Sequence, residues 1–180
     1  MRPFEVPTRD DVTEQNRQIF DDLKSKLGFV PNIYAAYAYS RHAPARYLSF
    51  ANGKTSLKSK EKEVVNLVTS QVNGCTYCLA VHTQIGKMNG FTEEQILELR
   101  QGRASFDAKL NALARLAGEI AENRGKISDS SLEDFFEAGY TRENLIDVIV
   151  NVGEKATTNF LHNVTQIPID FPAAPELAEK

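Results

Sequence analysis

Along the chain, apolar residues recur at three- and four-residue intervals between polar breaks, the signature of amphipathic helices. Val12, Ile19, Phe20, Leu23 and Leu27 form the first such stripe, and Gly28 stops it. Pro31 opens a segment over Asn32 to about Tyr39, and a third helix is predicted from about Ala43 to Asn52, with Pro44 in its first turn. Ser59 is read as the cap of a helix whose apolar face carries Val64, Val65, Leu67, Val68 and Val72, broken by Asn73-Gly74. The next helix is expected to start around Cys75 and end at Asn89-Gly90. Thr92 to Gln95 forms a capping box for a short helix ending at Gly102. Asp107 to about Asn123 is amphipathic, and Ser128 to Ala138 should turn Leu132, Phe135 and Phe136 inward. Thr141 caps a last long helix, Leu145 to about Val164. Its Leu145, Ile146, Val148, Ile149, Val150 and Val152 suggest a place at the centre of a bundle or an oligomer. No strand-like alternation occurs, so the expected fold is all-α, a multi-helix bundle.

Two ends stand apart from this pattern. Residues 1–11, with Pro3 and Pro7, read as an extended arm, and the tail 167–180, with Pro168, Pro172 and Pro175, reads as irregular. One domain is the expectation for 180 residues. Tyr34, Tyr37, Tyr39, Tyr47 and Phe50 cluster over two short helices, as core, subunit interface or the lining of a pocket.

Composition adds exclusions. With 42% hydrophobic and 25% charged residues the chain is ordinary for a globular protein. A net charge of -3 and the lack of a basic run argue against nucleic acid as partner. No apolar run approaches membrane-spanning length, and Met1 to Glu5 lacks the apolar core of a signal peptide, so a cytoplasmic protein is expected.

The chain's two cysteines lie three positions apart in Gly74-Cys75-Thr76-Tyr77-Cys78-Leu79-Ala80-Val81-His82. In a reducing compartment such a pair points to catalysis or metal binding rather than a permanent cross-link. On a helix beginning at Cys75, residues Cys75, Cys78 and His82 fall within about 60° of one another. This puts the sulfurs within disulfide reach, in a strained and therefore reducible geometry. The helix N-terminus favours a thiolate, and His82 can exchange a proton with Cys78 directly or through water. Glu63, on the preceding helix, reaches the cluster if the two helices pack antiparallel. Tyr77, between the cysteines, either donates a phenolic hydrogen bond or packs.

Other readings of these atoms meet the spacing differently. A c-type haem site needs histidine directly after the second cysteine, where Leu79 stands. A thioredoxin fold needs a βαβ context that is missing. A structural zinc site wants four ligands, which Cys75, Cys78 and His82 supply only with Glu63 or His162.

Glu63, an eleven-residue gap, Cys75-x-x-Cys78, three residues and His82 resembles the active-site pattern of the alkylhydroperoxidase AhpD family, within the carboxymuconolactone decarboxylase superfamily. The flanking Asn73 to Cys78 and the lead-in Leu27 to Asn32 resemble its peroxidase-related subgroup. The specific match covers roughly residues 47–102. The resemblance implies an all-helical, oligomeric fold and a peroxidase-type thiol oxidoreductase. Cys78 reduces a hydroperoxide and becomes a sulfenic acid, Cys75 resolves it to a disulfide, and an external dithiol, lipoyl or thioredoxin-like, regenerates the pair. Glu63 and His82 form a proton relay, and no cofactor is implied. The superfamily's decarboxylase branch lacks the cysteine pair, which sets this chain apart from it. One position departs from the family's best-studied members: Tyr77 stands where they carry a second histidine, and tyrosine does not shuttle protons near neutral pH. Beside the peroxidase stand two alternatives, a disulfide-carrying adaptor between a dithiol donor and a separate peroxidase, and a zinc-stabilised bundle.

Overall fold

The computed structural model describes residues 4–177. Met1 to Pro3 of the expected arm and Ala178 to Lys180 of the tail lie outside the described residues. The fold is all-α, with nine α-helices and no strand among the described residues. The described residues divide into two compact units, residues 4–54 with 161–170, and residues 55–160 with 171–177.

In the first unit the arm is not extended throughout. Arg9–Asp11 forms a 3-10 turn, where the Asp11 carboxylate accepts from the Thr8 backbone N–H and hydroxyl. Helix α1 (Glu14–Leu27) starts at Thr13, whose hydroxyl accepts the Asn16 N–H, and ends at Gly28 in the left-handed region. Helices α2 (Asn32–Tyr37) and α3 (Ala43–Ala51) follow. Val12, Phe20, Ala35 and Ala38 make a small core, and the buried Asn16 amide spans to the Ser40 carbonyl at 3.1 Å. The tyrosine cluster splits three ways. Tyr37 and Tyr47 stack in the interior with ring centroids 4.4 Å apart, Tyr34 lines a surface cavity with Ile19, Leu23 and Leu48, and Tyr39 and Phe50 are exposed.

The second unit is built around α4 (Ser59–Val72), which packs on α5 (Thr76–Met88), α6 (Glu93–Arg100) and α7 (Ala108–Glu122). Helix α8 (Asp129–Glu137) packs on α7, and α9 (Arg142–Thr165) completes the series, its last turn belonging to the first unit. The cap of α4 is Lys58, one residue before the expected Ser59; Glu61 in the first turn accepts the Lys58 N–H at 2.8 Å. Glu61 thus supplies the carboxylate half of a capping box, a register the Ser59 reading missed. Val64, Val65, Leu67 and Val68 are fully enclosed, together with Leu113, Leu116, Phe135 and Val148. Because α4 is packed on by three helices, Glu63 and Asn66 in its middle turns are buried.

Two inward assignments differ. Val72 and Phe136 are exposed. On α9 only Val148 and Val152 enter the core and Leu145 packs at its edge, while Ile146, Ile149 and Val150 face outward. At about 100° per residue these three share one stripe with Phe160, also exposed. The opposite face carries Asn151, Lys155 and Asn159, all buried. This helix turns a polar stripe inward and an apolar one outward.

Candidate functional site

The site forms where α4 ends and α5 begins. Gly74 takes φ 63°, a left-handed conformation that glycine enters at little cost. The chain reverses there, and the Cys75 N–H returns to the Ser70 carbonyl at 3.0 Å. Cys75 is not the first helical residue, as expected, but the N-cap: its sulfur accepts the Cys78 N–H at 3.2 Å, and α5 proper starts at Thr76. The Cα atoms of Cys75 and Cys78 are 5.3 Å apart, with the sulfurs at disulfide-bonding distance. Both cysteines are buried.

One turn further on, His82 Nδ1 lies 2.7 Å from Glu63 Oε2, joining α5 to α4. Both residues are buried, at 7% and 6% exposure, so the contact is made out of water. Glu63 Oε1 accepts from the Asn66 amide at 2.9 Å, and Asn66 Oδ1 accepts from Asn151 on α9 at 2.8 Å. A second pair of links runs beside it. Asn159 donates to the Ser70 hydroxyl at 3.2 Å and accepts from Asn73 at 3.0 Å. Burial is the largest influence on the Glu63 carboxyl and by itself would raise its pKa. The His82 charge, the hydrogen bonds from His82 and Asn66, and the Lys155 charge together outweigh it. The carboxyl therefore sits below the ordinary carboxylate range.

The four residues singled out by spacing are thus on two adjacent helices, and the antiparallel condition for Glu63 is met through His82. The direct Cys78–His82 link is not formed: among the described residues no hydrogen bond joins His82 to either sulfur. Tyr77 is buried, its ring edge-to-face with Phe171 of the tail at a centroid distance of 5.9 Å. Among the described residues no group of three or more His, Cys, Asp or Glu side chains is placed to hold a metal ion. Cys75, Cys78 and His82 therefore do not assemble as zinc ligands with Glu63 or His162. No helix of the described residues is long and apolar enough to cross a membrane.

Sequence reasoning passed over Asn66, Asn151, Lys155 and Asn159. A signal was there: Asn66 interrupts Val64-Val65-Asn66-Leu67-Val68, and Asn151, Lys155 and Asn159 recur every four residues along an apolar helix. Polar residues at that spacing share one helix face.

The fold defines the class first. It is that of AhpD-like helical proteins. The structure aligns with an uncharacterized peroxidase-related protein, an alkylhydroperoxidase AhpD core, from Ralstonia eutropha JMP134, at TM-score 0.83 and 19% identity over 93% of this chain and 92% of that one. An uncharacterized peroxidase-related protein from Silicibacter sp. TM1040 aligns at TM-score 0.79 and 22% identity, covering 92% and 90%. The debrominase Bmp8 aligns at TM-score 0.73 and 15% identity, covering 93% and 90%. Among curated proteins no sequence match is found. Residues 41–122, which contain Glu63, Cys75, Cys78 and His82, match the carboxymuconolactone decarboxylase family. The chain thus has an AhpD-like fold, with a segment similar to the carboxymuconolactone decarboxylase family.

Proposed function

We propose that the protein is a thiol peroxidase that reduces hydroperoxides through a Cys75–Cys78 dithiol/disulfide cycle. The observation that carries this reading is the pair of sulfurs at bonding distance on the first turn of α5, one turn from a buried His82–Glu63 pair. The Cys78 thiolate attacks the terminal oxygen of the hydroperoxide. The O–O bond breaks, the alcohol or water leaves with a proton, and Cys78 becomes a sulfenic acid. The Cys75 thiolate displaces hydroxide from that sulfur, which departs as water after protonation, leaving the disulfide. An external dithiol, lipoyl or thioredoxin-like, takes the oxidising equivalents by exchange and returns both thiols. With Glu63 ionised, His82 directs its Nδ1–H at the carboxylate, so that Nε2 is the ring position open to a proton. Because no direct His82–sulfur bond is present, the relay passes through an intervening water.

Peroxidase-related proteins among the structural neighbours fit this assignment. The exposed apolar stripe of α9 fits self-association, and a reducing, cytoplasmic setting suits the cycle.

Stopped-flow peroxide consumption by the reduced protein is the test. Turnover well above that of free cysteine, lost in Cys78→Ser and lowered about 10²–10⁴-fold in His82→Ala, is expected. A wild-type rate no faster than free cysteine overturns the peroxidase. If a dithiol reduces the disulfide rapidly in that case, the adaptor reading takes its place.

A further inference from the structure

Lys155 is buried on α9, at 6% exposure, four residues after Asn151. Asn151 donates to Asn66, and Asn66 donates to Glu63, so this stretch of α9 lies against the turn of α4 that carries the carboxylate. The nearest anion to the ammonium in an ion pair is Glu154, the preceding residue, at 3.8 Å and with little exposure of its own. A buried ammonium is costly unless an opposite charge balances it. Asn151 and Asn159 flank Lys155 one turn on either side and hydrogen-bond to α4. The register of α9 is therefore pinned, and Lys155 is held between the Asn66 and Ser70 levels of α4, one turn from the residue that links through Asn66 to Glu63.

We propose that Lys155 is a positioning residue of the redox site, its fixed charge holding Glu63 as a carboxylate and thereby keeping the His82 Nδ1 proton directed at it. This role rests on the peroxidase reading for its purpose, but not for its physics. The charged groups that bear on Glu63 are His82 from α5 and Lys155 from α9, with Asn66 as a neutral donor from α4 itself. Glu154 is a partial counter-charge to Lys155 at 3.8 Å. Were Glu63 to take up a proton, it would no longer require a donor from Nδ1. The imidazole could then present either tautomer, and Nε2 would lose its acceptor role in part of the molecules. Lys155 opposes that proton uptake without touching His82, a sulfur or substrate.

The test is the titration of Glu63 itself, followed by ¹³C NMR of the reduced protein labelled at its glutamate carboxyl carbons and assigned with Glu63→Gln. In Lys155→Met the Glu63 midpoint should rise above the wild-type value, while Lys155→Arg, which keeps the charge, should titrate with the wild type. The acid limb of peroxide reduction should move in the same direction and be restored in Lys155→Arg. Should Lys155→Met fail to fold, Lys155→Gln carries the same two readings. A Glu63 midpoint unchanged on loss of the charge overturns the proposal. The NMR titration uses no peroxide. A shifted midpoint without turnover therefore upholds Lys155 and removes the peroxidase, and turnover with an unshifted midpoint does the reverse.

Discussion

Glu63 and His82 face each other across α4 and α5 at 2.7 Å, and each is buried. The contact couples the fold to the chemistry, because the same hydrogen bond that closes the helical hairpin orients the imidazole. Removing one partner leaves a buried polar group without its mate, typically about 3–5 kcal/mol for an ion pair. Glu63→Ala is expected to approach that loss and Glu63→Gln, which keeps an acceptor oxygen, to fall well short of it. Urea unfolding of both variants under one redox condition measures the difference.

The Glu63 carboxyl also gives stability a pH dependence of known sign. Its folded pKa is depressed below the ordinary value of about 4.3. Its contribution is therefore fully present above about pH 4.3 and is lost as pH falls through the lower, folded value. Wild-type protein should lose stability relative to Glu63→Gln across that acid window. A gap independent of pH down to the acid transition would contradict the depressed carboxyl.

Cys75 is both a thiol and a helix cap. Its sulfur accepts the Cys78 N–H at the start of α5, a bond that favours its thiolate, while burial opposes ionisation. In reduced protein Cys75→Ser, whose hydroxyl can take over the cap, should be more stable than Cys75→Ala by about 1 kcal/mol. We expect alkylation of the reduced wild type to show an inflection below the free-thiol value of about 8.5. An inflection at or above it would mean that burial prevails. Cys75→Ser should also leave Cys78 open to over-oxidation by peroxide, read as added oxygens in intact mass.

How the chain prepares this site was legible in part. Asn73-Gly74 announced the break between α4 and α5, since only a short turn with one left-handed residue fits between two such apolar faces, and Gly74 has φ 63°. The shared stripe of Cys75, Cys78 and His82 then followed from helix geometry, and Glu63 joined them through the family resemblance. The orientation of α9 did not follow. Hydropathy places Ile146, Ile149 and Val150 in a bundle centre or an oligomer contact without saying which face meets α4, and the α4 face opposite carries Asn66 and Ser70, which are satisfied by Asn151 and Asn159. Polar groups that saturate one another bury at low cost. That pairing spans more than eighty residues of sequence, beyond the reach of any local pattern.

Gly74 has the most local consequence. At φ 63° a side chain costs roughly 1–2 kcal/mol, although a Cβ there would meet no neighbouring atom within 4 Å. Gly74→Ala should therefore fold with a modest loss of stability that reflects backbone strain alone. Any relaxation of the turn disturbs the Cys75 N–H bond to Ser70 and the N-cap that follows it. The rate of disulfide closure after peroxide addition should fall further than the stability loss suggests, and rapid quench with mass analysis compares the two.

The outward stripe of α9 yields the last expectation. Ile146 and Phe160 are 58% and 56% exposed, with Ile149 and Val150 between them. An apolar stripe of this length along one helix exceeds the scattered exposure usual on a monomer surface. If copies of the chain associate through it, Ile149→Asp together with Phe160→Asp should reduce the mass in solution, measured by light scattering, toward the 20.1 kDa of one chain. Because the two residues lie outside the core that holds Val148 and Val152, the helical signal of the double variant should persist. A wild type already at the mass of one chain would leave the stripe without this role.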